Sequence, residues 1–527
     1  MRTNDGSNVF SYVVLSLFLL AVCVSHPVPA AAQMTSVGID CSQIQSLGLL
    51  KQENMRAGTA LIECGIAHGG QPESTLGAPP APPNIRASNR ACTSSSSCTK
   101  SESAAWASTK DGGKTIVVNF NDHNNQSGEN YSGVSYSLDA GAHFTQIVPP
   151  PFASGHGTNF GDPIVVFNSK LNMWFAGDLV TSCGGQGIGL WTSPDGKTWT
   201  AGACAHSGGS DDRESMWVDN EPTSGTYGRM YISWNDFFQN GATSVTFSDN
   251  GTTWSTPVRL NSGSPFIRNV QITGSPRGAA RFEGNNSTVF VAGMDEGGGS
   301  LATRQNVMYK SLDGGVTWVG QTLGARFNPV GDALCASNSY FAQVNPIWRH
   351  MGWGEPGVGS AGVVHYVYAG KGTNNDNGDI FYQRSKDNGA TWSKPFKLNT
   401  DADAQFKTQW MPSLSANLNG KVTVAWYDRR SATSACNSVS DPGCQYERVA
   451  RQSRNNGQNF QAEIALSPGL IPQPAQEDPF VVDCYAGDYD YNTALNGNAY
   501  VTWTDGRRSV GGTHVQDVVF AKVPEPK

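Results

Sequence analysis

The chain is poor in charge: only 15% of its residues are Asp, Glu, Lys or Arg, and 36 basic side chains face 43 acidic ones. A surface with no basic excess has no broad electrostatic footprint for nucleic acid or for an anionic membrane, although a local arginine group could still hold an anion. Metal-binding spacing is missing too, since none of the 11 cysteines stands in a Cys-x-x-Cys pair or at a Cys/His spacing suited to zinc. No metal site and no cofactor are therefore expected, with a structural calcium left open. Long apolar runs are absent after residue 24. The one such run, VVLSLFLLAVCV (Val13 to Val24), follows Arg2, leads into small residues up to Gln33, and is short for a membrane span. It reads as a signal peptide over 1–33, which predicts a secreted or periplasmic protein with no transmembrane segment.

Export allows the ten remaining cysteines to oxidise. Proximity along the chain suggests Cys41 with Cys64, Cys92 with Cys98, Cys183 with Cys204 and Cys436 with Cys444, leaving Cys335 with Cys484 by elimination. Residues 34–71 carry apolar side chains at helical intervals between two cysteines, which predicts a small disulfide-closed helical segment. Residues 72–83, within PESTLGAPPAPPN, form a Pro-rich linker too poor in hydrophobic residues to pack.

What the chain has in quantity is glycine and proline, 60 and 28 residues, as a turn-rich all-β protein requires. A motif recurs six times over residues 84–527: SLDAGAHF at Ser137, SPDGKTW at Ser193, SDNGTTW at Ser248, SLDGGVTW at Ser311, SKDNGATW at Ser385 and SRNNGQNF at Ser453. Its Asp accepts hydrogen bonds from its own turn, its Gly adopts a conformation closed to other residues, and its aromatic enters the layer between sheets. The expected turn acids are Asp139, Asp195, Asp249, Asp313 and Asp387, with Asn455 in the last copy. The motif resembles the Asp box, or BNR repeat, of the sialidase superfamily of β-propellers, and the resemblance implies a propeller fold over 84–527.

A second repeat interleaves with the first: apolar strands ending at Asp122, Asp178, Asp236, Asp295, Asp428 and Asp505, with HYVYAG (His365 to Gly370) in an equivalent place. Seven such strands against six turns favour seven blades, with six as the alternative. The last blade then lacks a strand, which Asn84 to Ser88 (NIRAS) would supply as the outer strand.

Residues that occur in one blade only are the candidates for chemistry. Arg429 and Arg430 follow Asp428, and Arg507 and Arg508 follow Asp505, so neighbouring blades present four guanidiniums suited to a carboxylate. The starts of the innermost strands carry Glu102, Asp162, Asp212, Arg213, Glu214, Arg268, Gln409, Asp488 and Tyr489. Carboxylates facing one another beside Arg and Tyr are the ingredients of glycoside hydrolysis. Trp106, Trp217, Trp410 and Tyr491 lie near them in sequence and would stack on sugar rings or fill the core. The family resemblance implies Arg268, Arg429 and Arg507 for a substrate carboxylate, Tyr489 with Glu214 as nucleophile and base, and Asp162 or Asp488 as acid. The expected partner is a glycan or glycoconjugate, acted on by a monomer. A sialidase-like hydrolase, a non-catalytic glycan- or protein-binding propeller and a polysaccharide lyase all fit these residues.

Overall fold

A computed structural model describes residues 33–72, 84–124, 130–275, 286–374 and 376–527. The apolar leader and most of the Pro-rich stretch lie outside the described residues. Seven sheets follow one another along the chain, beginning with the strands Thr99–Ala107, Ile164–Asn168, Asp211–Val218, Ile267–Ser275, Glu355–Val358, Gln409–Ala416 and Thr493–Leu495; they are antiparallel except that Asp490–Tyr491 joins the first by a parallel pairing with Thr99–Ala107. These first strands pack side by side in sequence order, and that of the seventh sheet packs against that of the first, so the sheets close into a ring. In the seventh sheet the outermost strand is Ile85–Arg86, paired with Asp517–Pro524 through Ile85 opposite Phe520 and Arg86 opposite Val519. The second strands, such as Ile116–His123 and Val422–Asp428, are buried along their whole length. Neighbouring sheets cover both of their faces, which is why they read as nearly continuous apolar runs.

The third strand of each of the first six sheets ends on the motif serine. Ser311 Oγ donates to Asp313 (2.8 Å) and accepts from Gly315 N (2.8 Å), while Asp313 Oδ1 accepts from Val316 N and Thr317 N (3.0 and 2.9 Å). Gly315 has φ +96°, and a Cβ there would lie 2.9 Å from the Tyr231 ring of the preceding sheet, so both backbone and space demand glycine. One expectation is corrected at Ser248. The acid's place is taken by Asn250, whose Oδ1 accepts from Thr252 N and Thr253 N (both 2.9 Å), whereas Asp249 pairs with Arg229 (2.8 Å). Counting from the serine explains this, because the turn uses the residue at the second position after it in all six copies. First and third strands run the same way, so all these turns lie where the inner strands end.

Five disulfides are present: Cys41–Cys64, Cys92–Cys98, Cys183–Cys204, Cys335–Cys484 and Cys436–Cys444. Cys204 lies in Thr200–His206, the outer strand of the second sheet, and Cys183 follows that sheet's second strand, so this bridge closes one sheet. A small three-stranded sheet, Ala333–Leu334, Ala342–Asn345 and Trp348–Arg349, is inserted between the fourth and fifth sheets.

The segment before the ring folds into two short 3-10 turns, Cys41–Gln43 and Leu49–Lys51, and the helix Met55–Glu63, whose first turn is capped by Asn54 accepting from Ala57 N (2.9 Å). Its Leu49, Met55 and Leu61 share a core with Tyr131, Phe160, Trp234, Val482 and Tyr485. It therefore sits on the side where the inner strands begin. No helix among the described residues is long and apolar enough to cross a membrane.

Candidate functional site

The inner strands do not start as regular β-structure. Each of Glu102, Arg213 and Met411 sits in a β-bulge with positive φ (45°, 56° and 45°), and Asp162, two residues before its strand, has φ 64°. A left-handed backbone costs a non-glycine residue on the order of 1–3 kcal/mol and persists only where the surroundings enforce it. A bulge also re-aims the side chain. Four sheets thus spend stability at the same level to present two acids, an arginine and a methionine.

Polar contacts join these residues into one buried cluster. Glu102 accepts from Asn121 Nδ2 (2.6 Å) and Asp488 N (2.8 Å). Asn121 Oδ1 accepts from Asp162 N (3.2 Å), and Asp162 Oδ2 accepts from Arg213 N (2.9 Å). The Arg213 guanidinium lies between the Trp353 and Tyr489 rings, 4.8 Å from each centroid. Arg268 pairs with Asp212 (2.9 Å) and Glu296 (3.3 Å), and Arg349 pairs with Asp488 (2.5 Å). Tyr489 stacks on Tyr491 at 4.2 Å. Not every polar atom here is satisfied: neither carboxylate oxygen of Glu214 nor the hydroxyl of Tyr489 has a hydrogen-bond partner, although both residues are buried, and Arg213 Nε and Glu53 Oε1 lack one too. Single unbonded atoms also occur elsewhere in the core, such as Tyr231 Oη and Ser275 Oγ, but Glu214 is a carboxyl with both oxygens unbonded.

The electrostatics follow from burial. Removal from water raises the carboxyls of Glu214, Asp162 and Glu102 well above the ordinary range, and the charges of neighbouring acids push the same way. Glu296 is the exception: burial raises it, but Arg268 and Arg304 more than offset that and leave it lowered. His350, buried beside Arg213, is pushed down to about 3 and is neutral. The cluster therefore stores protons on carboxyl groups while its three guanidiniums stay charged.

The structure brings together Glu102, Asp162, Arg213, Glu214, Arg268, Asp488 and Tyr489. It does not bring in the paired arginines, which corrects the expected four-guanidinium group. Arg430 bridges Asp428 and Glu463, Arg507 bonds Asp505 (2.7 Å), Arg508 bonds Asp517 (3.3 Å), and Arg429 donates to Gly443 O (2.9 Å). Nearer groups reach these side chains first: the carboxylate of the same turn for Arg430 and Arg507, a neighbouring strand's Asp517 for Arg508 and a backbone carbonyl for Arg429. Gln409 is likewise absorbed locally, donating to Asp428 and Asp401 (both 3.1 Å). Trp106 and Trp217 line a cavity of about 470 Å³ where the inner strands end, away from the acids at their starts; none of the clustered charges lines it. Arg349, Glu296 and Glu53 were missed by sequence reasoning. Arg349 belongs to the inserted sheet, and Glu53 to the N-terminal segment, where no repeat register exists to flag them.

Glu53 deserves its place in the cluster by contact. Its carboxylate accepts from Arg213 Nη1 at 2.7 Å and lies 3.6 Å from Arg268 Nε. Arg349 Nη2 donates to its carbonyl oxygen (2.7 Å), Arg268 donates to the Lys51 carbonyl, and the Asp212 carboxylate accepts from Glu53 N and Asn54 N (both 3.1 Å).

No protein-family model and no curated protein matches the chain. Among solved structures, it is similar to an α-L-arabinofuranosidase of Fusarium graminearum in complex with arabinobiose, at 14% identity and TM-score 0.35, over 59% of this chain and 92% of that one. It is also similar to the intramolecular trans-sialidase from Ruminococcus gnavus in complex with oseltamivir carboxylate, at 12% identity and TM-score 0.37, over 83% and 97%. A leech intramolecular trans-sialidase matches at 13% identity and TM-score 0.37, over 82% and 68%. At these scores the likenesses decide nothing about the site.

Proposed function

We propose that the protein is an exported, glycan-active hydrolase built as a seven-bladed Asp-box propeller, acting from the side opposite the Asp-box turns and selective for acidic sugars. One observation carries the reading: Glu102, Asp162 and Arg213 are held in left-handed backbone at the same level of three neighbouring sheets, beside a Tyr489 hydroxyl and a Glu214 carboxyl with no partners. Strain and unsatisfied polar atoms at one place are what a packed core avoids and a reaction site retains.

In this reading Arg213, Arg268 and Arg349 receive the sugar carboxylate by charge-assisted bonds. The Tyr489 oxygen attacks the anomeric carbon while Glu214 takes its proton, and Asp162, raised by burial, gives its proton to the leaving oxygen; water, giving a proton to the Asp162 carboxylate, then displaces Tyr489, which takes its proton back from Glu214 and frees the sugar. Entry of water and substrate would lower Glu214 towards its ordinary value and make it a base.

The test is hydrolysis of a sialoside beside uronic and neutral glycosides, by the intact protein and by protein with residues 34–72 detached. Tyr489→Phe and Glu214→Gln should each lower kcat by about 100-fold or more. Turnover unaffected by both substitutions, or absent from both forms of a folded protein, removes the assignment.

A further inference from the structure

Every acid and arginine of the cluster is out of solvent, and what covers it is the chain itself. Three guanidiniums of the ring grip residues 51–53: Arg213 and Arg268 the Glu53 carboxylate, Arg268 the Lys51 carbonyl, and Arg349 the Glu53 carbonyl. Asp212 completes the seat by accepting the N–H groups of Glu53 and Asn54. The fit extends outward. A Cβ on Gly69 would stand 2.0 Å from the Pro479 carbonyl oxygen, and one on Gly48 would stand 2.7 Å from the Phe237 ring.

The covalent plan separates the two bodies. Cys41–Cys64 closes the segment on itself, whereas the other four bridges join ring residues to ring residues. Cys335–Cys484 staples the socket wall beside the segment, where Gln52, Leu61 and Arg349 meet both cysteines around a small cavity. No disulfide among the described residues ties the segment to the ring. A part meant only to brace the ring would gain from such a tie; a part meant to leave would not.

We propose that residues 34–70 are a built-in plug of this site, with the Glu53 carboxylate standing where the carboxylate of an acidic sugar binds, and that the ring accepts such a ligand once the segment has left. This rests on reading the cluster as the functional site. A tethered carboxylate competes at an effective concentration in the millimolar range or above, so free ligand at ordinary concentration is excluded from the closed form. Cutting the chain after residue 72 turns the tethered competitor into a diffusible one.

The experiment builds a protease recognition sequence into residues 73–83 of the full mature chain and compares intact and cut protein. Calorimetry with N-acetylneuraminic acid and with glucuronic acid reads binding, with glucose as the neutral control. Cut protein, diluted below the affinity of the two pieces and shown folded by circular dichroism, should bind at least one sugar acid about tenfold or more tighter than intact protein. Oxidised 34–72 peptide added back should compete. Glu53→Gln in the uncut chain keeps the shape and removes the charge, and should raise sugar-acid affinity without loss of fold. Equal affinity in intact, cut and Glu53→Gln protein overturns the plug, as does a folded, cut ring that binds neither acid. Failure of the hydrolase reading looks different: the cut form binds acids and peptide in competition but turns nothing over.

Discussion

The two ends of the ring are built by opposite rules. Where the inner strands finish, six turns repeat one solution, in which serine, Asp or Asn, and glycine satisfy one another locally. Where the inner strands begin, no two sheets present the same residues, and the polar atoms are satisfied across sheets or not at all. The turns spare the fold any long-range dependence. The cluster makes the fold depend on charges that water no longer screens. Repetition marks what the architecture needs, and its breakdown marks where something else was selected.

The comparison breaks first at Arg268, which is fully buried and faces Asp212, Glu53 and Glu296. Arg268→Ala leaves those carboxylates uncompensated and should cost about 3–5 kcal/mol. Asp313→Ala in an exposed turn should cost about 1 kcal/mol. Guanidinium denaturation of both variants tests the contrast, and similar losses would mean that the cluster is no more coupled than a turn.

The same contrast predicts opposite responses to pH. At the buried end Asp178 and Asp211 are pushed up to about 7 by burial, so the folded protein holds protons that the unfolded chain has released above its ordinary carboxylate range. Stability from these groups is fully present below about pH 4 and is lost as pH rises to about 7, by about 1.4 kcal/mol per pH unit for each group. At the turn end Asp313 and Asp387 are held below their ordinary value: burial raises them, but the bonds from Thr317 and Ser311, and from Thr391 and Ser385, together outweigh it. Their stabilisation is present above the ordinary carboxylate range and is lost as pH falls below it. Between pH 4.5 and 7 the buried acids, Asp376 and Asp490 among them, outnumber the groups that act the other way, His350 and His365, which burial holds down at about 3 and neutral in the fold while the unfolded imidazoles take up protons; the melting temperature should therefore fall across that window and fall again below about pH 4. A melting temperature that rises steadily from pH 4.5 to 7 would count against the buried acids being held protonated.

The difference between the ends also governs what could be read from sequence. The turns are local, so Ser311 to Trp318 announces its structure in eight adjacent residues, and the outer-strand role of Ile85 and Arg86 follows from likeness to strands elsewhere in the repeat. Even there, matching the letter Asp instead of counting from the serine assigned Asp249 in place of Asn250. The cluster is assembled from five sheets, an insertion and the N-terminal segment. Glu102, Asp162 and Arg213 could be found because they occupy equivalent starts of inner strands. Arg349 and Glu53 could not, since the contact that defines them, a carbonyl at residue 53 meeting a guanidinium at 349, spans 296 residues. The paired arginines misled for a related reason: adjacency in sequence shows that guanidiniums are near each other, not that a closer carboxylate has already claimed them.

The smallest expected effect sharpens the rule for the turns. Asn250 and Asn455 already serve where the other four copies have Asp, and their Oδ1 atoms accept equivalent backbone bonds, from Thr253 N (2.9 Å) and Asn459 N (3.0 Å). The turn thus needs an acceptor oxygen two residues after the serine, and the charge on it is secondary. Asp313→Asn keeps the bonds from Val316 N and Thr317 N to Oδ1; at the other oxygen the bond accepted from Thr317 Oγ1 (2.6 Å) is turned round, as where Asn250 Nδ2 donates to Thr253 Oγ1 (3.0 Å), and the extra strength of a charged acceptor, which water at this exposed site already weakens, is given up. Its cost should stay within about 0.5 kcal/mol, as for most surface substitutions. A loss of 2 kcal/mol or more in the denaturation midpoint would show that the carboxylate charge itself holds the turn, and the two asparagine copies would then be its weak points.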